Sequence, residues 1–367
     1  MKKILFLLLP FLMGENIYAQ CVIKAELKDV TGDTAFVQIV KPDFSGIEKT
    51  DTLKVKKGKF TIQNNDSKTR LAMCKVKTNE GDKQLSIYLV PGENATVTGT
   101  TEKEIWNGSQ FYKDYQELKN AINPIHEKMS EIGQSYHSQV EKGANADSLR
   151  KVIDPIYNDL QKQLNQKMME FITTHPNSGA GVTVLMGLEE AEKALETMSS
   201  VVAEGKFSYF IDVVKAKIER DKIREEASKK VADGKLAPDF TLKDINGNDL
   251  TLSSLRGKYL ILDFWGSWCV WCIKGFPELK KYYEKYSDRL EVLGVDCGDT
   301  EEKWKAAVEK HELKWKHVFN PRETKIEEKY AISGYPTKII IDPEGKIVKT
   351  VVGEDPAFYE FLDELFK

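Results

Sequence analysis

The sequence predicts an α/β C-terminal domain preceded by a small antiparallel β-domain and a helical segment. Three observations carry this reading. Apolar residues alternate with strand period in the first third, recur with helix period in the middle, and fall into alternating buried runs and helical stretches in the last third. A chain of 367 residues has room for two or three domains. The boundaries read as 1–19, 20–105, 106–231 and 232–367.

Residues 1–19 have the pattern of a cleaved export signal. Met1-Lys-Lys3 is a basic start, Ile4 to Met13 is apolar, and Ile17-Tyr-Ala19 resembles a small-residue cleavage site. The apolar core is too short to span a bilayer. Cleavage after Ala19 would leave Gln20 first and place the protein in the periplasm. Cys21 raises a rival, a lipid-anchored N-terminal Cys, which Tyr18 and Gln20 fit poorly.

Residues 20–105 read as β-structure. Ile23, Ala25 and Leu27 alternate with Lys24, Glu26 and Lys28. Leu53-Lys-Val55 and Phe60-Thr-Ile62 flank Lys56-Lys-Gly-Lys59, a hairpin signal. Leu85, Ile87 and Leu89 lead into the turn cluster Pro91-Gly-Glu-Asn94, after which Ala95-Thr-Val97 resumes the alternation. A small antiparallel sandwich or barrel fits.

From about 107 to 230 the period changes. Leu149, Ile153, Ile156, Leu160, Leu164, Met168 and Phe171 line one face of a long helix. Asp154-Pro155 suggests its start, because Pro suits a first helical turn, and His175-Pro-Asn-Ser-Gly179 stops it. Further helices are expected near 109–133, 182–202 and 207–229, with a linker at Ala232-Asp-Gly-Lys235.

In the last part, Asp239 to Leu242 and Asp249 to Leu252 are joined by Asn246-Gly247, a hairpin pair. Lys258 to Phe264 is the continuous apolar run of a central strand buried on both faces. A helix from Cys269 to about Tyr286 follows, with Pro277 inside it. Leu290 to Val295 is a second buried strand, with helices near 301–311 and 323–330. Thr337 to Ile341 and Ile347 to Val352 are strands around Asp342-Pro-Glu-Gly345, and Pro356 to Phe366 closes as a helix.

The net charge of −3 gives no global argument for nucleic acid or an anionic membrane. The cysteines are Cys21, Cys74, Cys269, Cys272 and Cys297, fewer than a disulfide-stapled exported protein carries, so the cores must stabilise the fold. Cys21 and Cys74 could bridge within the β-domain. A zinc site needs about four ligands. There is no second Cys-x-x-Cys, and His126, His137, His175, His311 and His317 form no ligand pair, so no metal is expected.

Chemistry concentrates in Trp265-Gly-Ser-Trp-Cys269-Val-Trp-Cys272, just after the buried run and at the start of a helix. The N-terminus of a helix offers unpaired N–H groups and a positive dipole end, both favouring a thiolate, the species that attacks disulfides. Spacing by two residues places both sulfurs on one turn. The bland alternative is an inert structural disulfide.

These residues resemble the thioredoxin superfamily, and within it the extracytoplasmic TlpA-like and ResA-like branch. The resemblance rests on Ala237-Pro-Asp-Phe240, Phe264 to Cys272, Pro277, Gly334-Tyr-Pro336 and Gly353, in family order over about 130 residues. The part before it resembles a β-rich domain of unknown function with a helical segment. The resemblance implies a thioredoxin-like C-terminal domain, a central mixed sheet flanked by helices. It also implies a periplasmic thiol–disulfide oxidoreductase that reduces protein disulfides, needs no cofactor, and takes electrons from a membrane thiol donor. Its partners would be disulfide-containing envelope proteins.

By the same resemblance Cys269 is the nucleophile and the exposed sulfur, with a pKa below ~8.5. Cys272 is the more buried resolving thiol. Pro336 is expected in cis against the Cys pair, where Tyr335 and Pro336 would present backbone to an extended substrate; a trans proline at a strand start is the alternative. Trp265 and Trp268 match the family and are expected to pack the site. Trp271 either adds an apolar docking surface or covers the helix. Asp263 stands where thioredoxins have a buried acid that accepts the proton from Cys272; a locally hydrogen-bonded polar residue is the alternative. Two departures weaken its role. The family's partner lysine maps to Val292, and the acid that ResA-like proteins often carry three residues after the second Cys is Gly275 here. Cys297 is read as a packing residue at a strand end.

Two other functions stay open. One is a peroxiredoxin-like peroxidase, although Gly266 and Leu262 stand where that family carries Thr or Ser and Pro. The other is a partner-binding or chaperone module with an auxiliary dithiol.

Overall fold

The structure is a computed structural model describing residues 20–41 and 44–367. The export-signal reading over residues 1–19 lies outside the described residues. The chain divides into two compact units, the second beginning at Glu219.

In the first unit, β1 (Cys21–Leu27), β2 (Val30–Val40), β3 (Ile47–Lys54), β4 (Lys59–Asn64), β5 (Arg70–Thr78), β6 (Gly81–Leu89), β7 (Asn94–Gly99) and β8 (Glu104–Gly108) form two four-stranded sheets. Their orders are β4-β1-β7-β8 and β3-β2-β5-β6. Ile23, Phe60 and Val97 from one sheet share an apolar core with Val37, Val76 and Ile87 from the other, so the arrangement is a sandwich. One pairing is not antiparallel: β1 and β7 run parallel.

The Lys56–Lys59 turn is tight but is not a hairpin within one sheet. β3 pairs with β2, whereas β4 pairs with β1, so the turn carries the chain between sheets. Gly58, at φ +71°, makes this possible, since a Cβ there would strike the Leu27 carbonyl oxygen at 2.1 Å. Cys21 and Cys74 are both buried free thiols, so they do not bridge.

The same core continues into α1 (Gln110–Glu141), α2 (Ala146–Thr174), α3 (Ala191–Thr197), α4 (Ser200–Ala203) and the start of α5 (Ser208–Lys230). The second helix begins ahead of Asp154-Pro155, because Asn145 caps it by accepting the Ser148 N–H at 2.8 Å; Pro155 lies inside. The single helix expected over 182–202 is instead a 3-10 turn, Gly179–Gly187, followed by α3 and α4. Close packing accounts for the break. A Cβ on Gly181 would meet Met198 at 2.9 Å and Ile172 at 3.0 Å, and Ser199 donates to the Pro176 carbonyl at 2.9 Å.

The second unit holds β9 (Thr241–Asp244), β10 (Asp249–Thr251), β11 (Tyr259–Trp265), α6 (Val270–Lys285), β12 (Leu290–Asp296), α7 (Glu301–Lys310), β13 (Lys316–Phe319), α8 (Ile326–Lys329), β14 (Thr337–Ile341), β15 (Ile347–Val352) and α9 (Pro356–Leu365). The strands form one mixed sheet ordered β10-β9-β13-β12-β11-β14-β15. β11 sits inside it, parallel to β12 and antiparallel to β14. Its residues alternate between two cores. Leu260, Leu262 and Phe264 face one, while Ile261 and Trp265 face the other with Cys272, Phe276 and Leu279 of α6. This is a thioredoxin-like domain, with the first turn of α6 set at the end of a central strand.

Candidate active site

The turn from β11 into α6 is fixed at several points. Cys269 donates its N–H to the Gly266 carbonyl at 3.0 Å. Ser267 gives both its N–H and its hydroxyl to Asp299, each at 2.6 Å. Trp268 donates its indole N–H to the Cys297 carbonyl at 2.8 Å. Gly266 leaves room for that indole, because a Cβ at 266 would lie 2.5 Å from Trp268 Nε1 and 2.8 Å from the Cys297 oxygen.

Cys269 is the N-cap of α6, and its sulfur accepts the Cys272 N–H at 3.1 Å. A sulfur bearing negative charge is favoured there by the helix end. Cys269 and Cys272 are bonded to each other. In this form Cys269 is 5% exposed and Cys272 2%, so the outer sulfur is barely more open than the inner one. Both lie in the apolar cluster with Trp265, Phe276 and partly buried Tyr335. The surroundings are open instead: Trp268, Val270 and Trp271 are each more than half exposed. Trp271 is therefore surface, with the Lys274 ammonium 4.4 Å from its ring, and Trp265 is core.

The Tyr335–Pro336 bond is cis. Pro336 is buried, and Tyr335 meets Trp268 edge to face, ring centroids 5.1 Å apart. Burial, reinforced by its hydrogen bond to Glu327, holds the Tyr335 hydroxyl protonated far above its usual range.

Asp263 is 2% exposed on the α6 side of the sheet, between Ile261 and Trp265. Burial pushes its carboxyl up, Lys338 works against that, and Glu354 reinforces it. The lysine expected at position 292 is supplied from the other neighbouring strand. Lys338 on β14 is the register partner of Asp263, is 3% exposed, and places Nζ 3.8 Å from Oδ1. The same Nζ lies 2.7 Å from Glu354 Oε2, and Tyr359 donates to Glu354 Oε1 at 2.8 Å. Lys338 and Glu354 were missed by motif reading. The available signal was a lysine inside the apolar run Thr337 to Ile341.

Cys297 is buried at the strand end, and burial raises its thiol well above its ordinary range. Beside it Asp296 is fully buried, its carboxyl pushed up to about 8 by burial and by Asp299. Among the described residues no group of three or more His, Cys, Asp or Glu side chains could hold a metal ion.

Residues 234–350 match the model of the AhpC/TSA family. A Bacillus cereus protein named thiol-disulfide oxidoreductase ResA is 36% identical over 122 residues, 33% of this chain and 70% of that protein. The Bacillus subtilis protein of the same name is 34% identical over 124 residues, 34% of this chain and 69% of that protein. Among solved structures, the thioredoxin domain of a Bacteroides vulgatus thiol-disulfide oxidoreductase is 35% identical. That alignment covers 37% of this chain and 99% of that one, with a TM-score of 0.35.

Proposed function

This chain belongs to the ResA-like thiol-disulfide oxidoreductases of the thioredoxin superfamily, and we propose that it reduces protein disulfides in the periplasm through the Cys269-Val-Trp-Cys272 dithiol. The observation that carries this is the seat of Cys269: capping α6, taking the Cys272 N–H on its sulfur, and bonded to that same residue. The basic start and apolar run within residues 1–19 support the location.

In the reduced form the Cys269 thiolate attacks one sulfur of a substrate disulfide. A mixed disulfide forms and one substrate thiolate leaves. Cys272 then loses its proton, attacks the Cys269 sulfur, and expels the second substrate thiolate. Two electrons have moved to the substrate, and the protein is left with the Cys269–Cys272 bond. A membrane thiol donor must reduce it before the next turnover. Asp263 is the proposed acceptor of the Cys272 proton. Tyr335, Pro336, Trp268 and Trp271 are the proposed seat of the substrate segment.

A peroxidase is disfavoured by packing, since a Thr or Ser at position 266 would collide with the Trp268 indole. Substituting Cys272→Ser tests the main reading. The variant should accumulate a stable mixed disulfide on Cys269, seen by mass spectrometry of an envelope extract. No adduct, together with full partner binding after loss of both cysteines, would favour the chaperone alternative.

A further inference from the structure

We propose that Glu354 is a positioning residue of the redox site: its carboxylate, seated in the space left by Gly275, holds Lys338 off Asp263 and so keeps Asp263 available as a base. The inference rests on the disulfide-exchange reading above and adds a residue to it.

The argument begins with alternation. Asp263 faces α6 with Ile261 and Trp265, and Lys338 shares the face of Ile340, which lies in that same core. Both groups therefore lie beneath α6. Glu354 enters from the turn after β15, following Gly353 at φ +88°. It reaches the side of the helix at Gly275, one turn beyond Cys272. A Cβ on Gly275 would lie 2.3 Å from Glu354 Oε2 and 2.7 Å from Oε1, so the carboxylate fills the volume a side chain would take. The acid missing from α6 is thus replaced in space by one from another element.

The distances decide what this carboxylate does. Lys338 Nζ is 2.7 Å from Glu354 and 3.8 Å from Asp263. The first is a charge-assisted hydrogen bond; the second is not a hydrogen bond at all. Asp263 Oδ1 is accordingly buried with no hydrogen-bond partner. A carboxylate in that condition keeps a lone-pair site free for a proton. Remove the charge at 354, and Lys338 has one remaining anion on which to close.

The groups facing Asp263 can be named element by element. The strand β14 brings Lys338, the turn after β15 brings Glu354, and α9 brings Tyr359, which is bonded to Glu354. On the α6 side, Cys272 lies in the core this face shares with Ile261 and Trp265, Gly275 lies against Glu354, and Glu278 is close enough to act on Tyr359. From β12 the facing residue is Gly294, without charge. The Glu354 side chain is also the most open of the charged trio, 17% against 3% for Lys338 and 2% for Asp263.

The test uses the full-length reduced protein and oxidised glutathione, following closure of the Cys269–Cys272 bond by stopped-flow tryptophan fluorescence across pH. In Glu354→Gln, Lys338 should settle on Asp263, and the pH midpoint of the resolving step should fall by about one unit. Glu354→Asp, which keeps the charge, should return the midpoint toward the wild type. An unchanged midpoint in Glu354→Gln overturns the inference while leaving the dithiol reading intact. Failure of the wild type to close its disulfide at any pH overturns the dithiol reading itself. If Glu354→Gln does not melt cooperatively, Gly275→Ala displaces the same carboxylate with a Cβ, and the same shift or its absence decides.

Discussion

Asp263 and Lys338 face each other across β11 and β14, buried side by side with 3.8 Å between carboxyl oxygen and ammonium nitrogen. Replacing the lysine with an apolar residue of similar length leaves Asp263 and Glu354 without their shared cation. Loss of one partner from a buried charge cluster costs about 3 kcal/mol. Lys338→Met should lower the urea midpoint at pH 7 accordingly, and the deficit should shrink at lower pH as Asp263, whose carboxyl burial pushes up, takes up a proton. An equal deficit at both pH values would count against an electrostatic origin.

Asp296 makes stability depend on pH in a calculable direction. Its folded-state pKa, about 8, lies above the ~3.9 of an unfolded chain. Between those values the folded protein holds a proton that the unfolded chain lacks. The contribution is fully present below about pH 3.9 and is lost as pH rises through about 8. Denaturation of the wild type and of Asp296→Asn at pH 5.5 and 8.5 should show the wild type losing more stability over that interval.

Two helical glycines should respond oppositely to alanine. Nothing lies within 4 Å of a Cβ built on Gly133 in α1, so Gly133→Ala should stabilise by about 0.5–1 kcal/mol. Gly275→Ala gains the same propensity but must displace Glu354, and overpacking costs about 1–3 kcal/mol. Thermal melts of the two variants should move in different directions.

Thiol chemistry should separate the five cysteines. Cys21, Cys74 and Cys297 are each at most 1% exposed; burial raises all three thiols, that of Cys74 to about 12. After mild reduction, iodoacetamide on the native protein should label Cys269 first and spare these three until denaturant is added. Peptide mapping gives the order of labelling, and early modification of Cys297 would contradict it.

Local pattern made much of this molecule legible. The continuous run before the cysteines identified the central strand, the Asn246-Gly247 pair identified the β9–β10 turn, and the Cys-x-x-Cys at a helix start pointed to the candidate site. What escaped has a common cause. Whether the Lys56–Lys59 turn joins strands of one sheet or of two depends on distant pairing, which alternation does not encode. The break within 182–202 depends on how closely Gly181 approaches α2. Lys338 and Glu354 enter the site from elements remote in sequence from the cysteines, so no motif spacing linked them to Asp263. The burial of Cys269, 5% exposed in the bonded form, follows from packing against Trp265, Phe276 and Tyr335, which the local motif does not encode.

The tethers around the cysteine turn have a consequence for recognition. Ser267 is tied to Asp299 and Trp268 to Cys297 through groups that take no part in electron transfer. None of these tethers involves the Cys269 or Cys272 sulfur. On the reading proposed above, a substrate segment would meet the same contour before and after the exchange, and its release would follow from the loss of the covalent link.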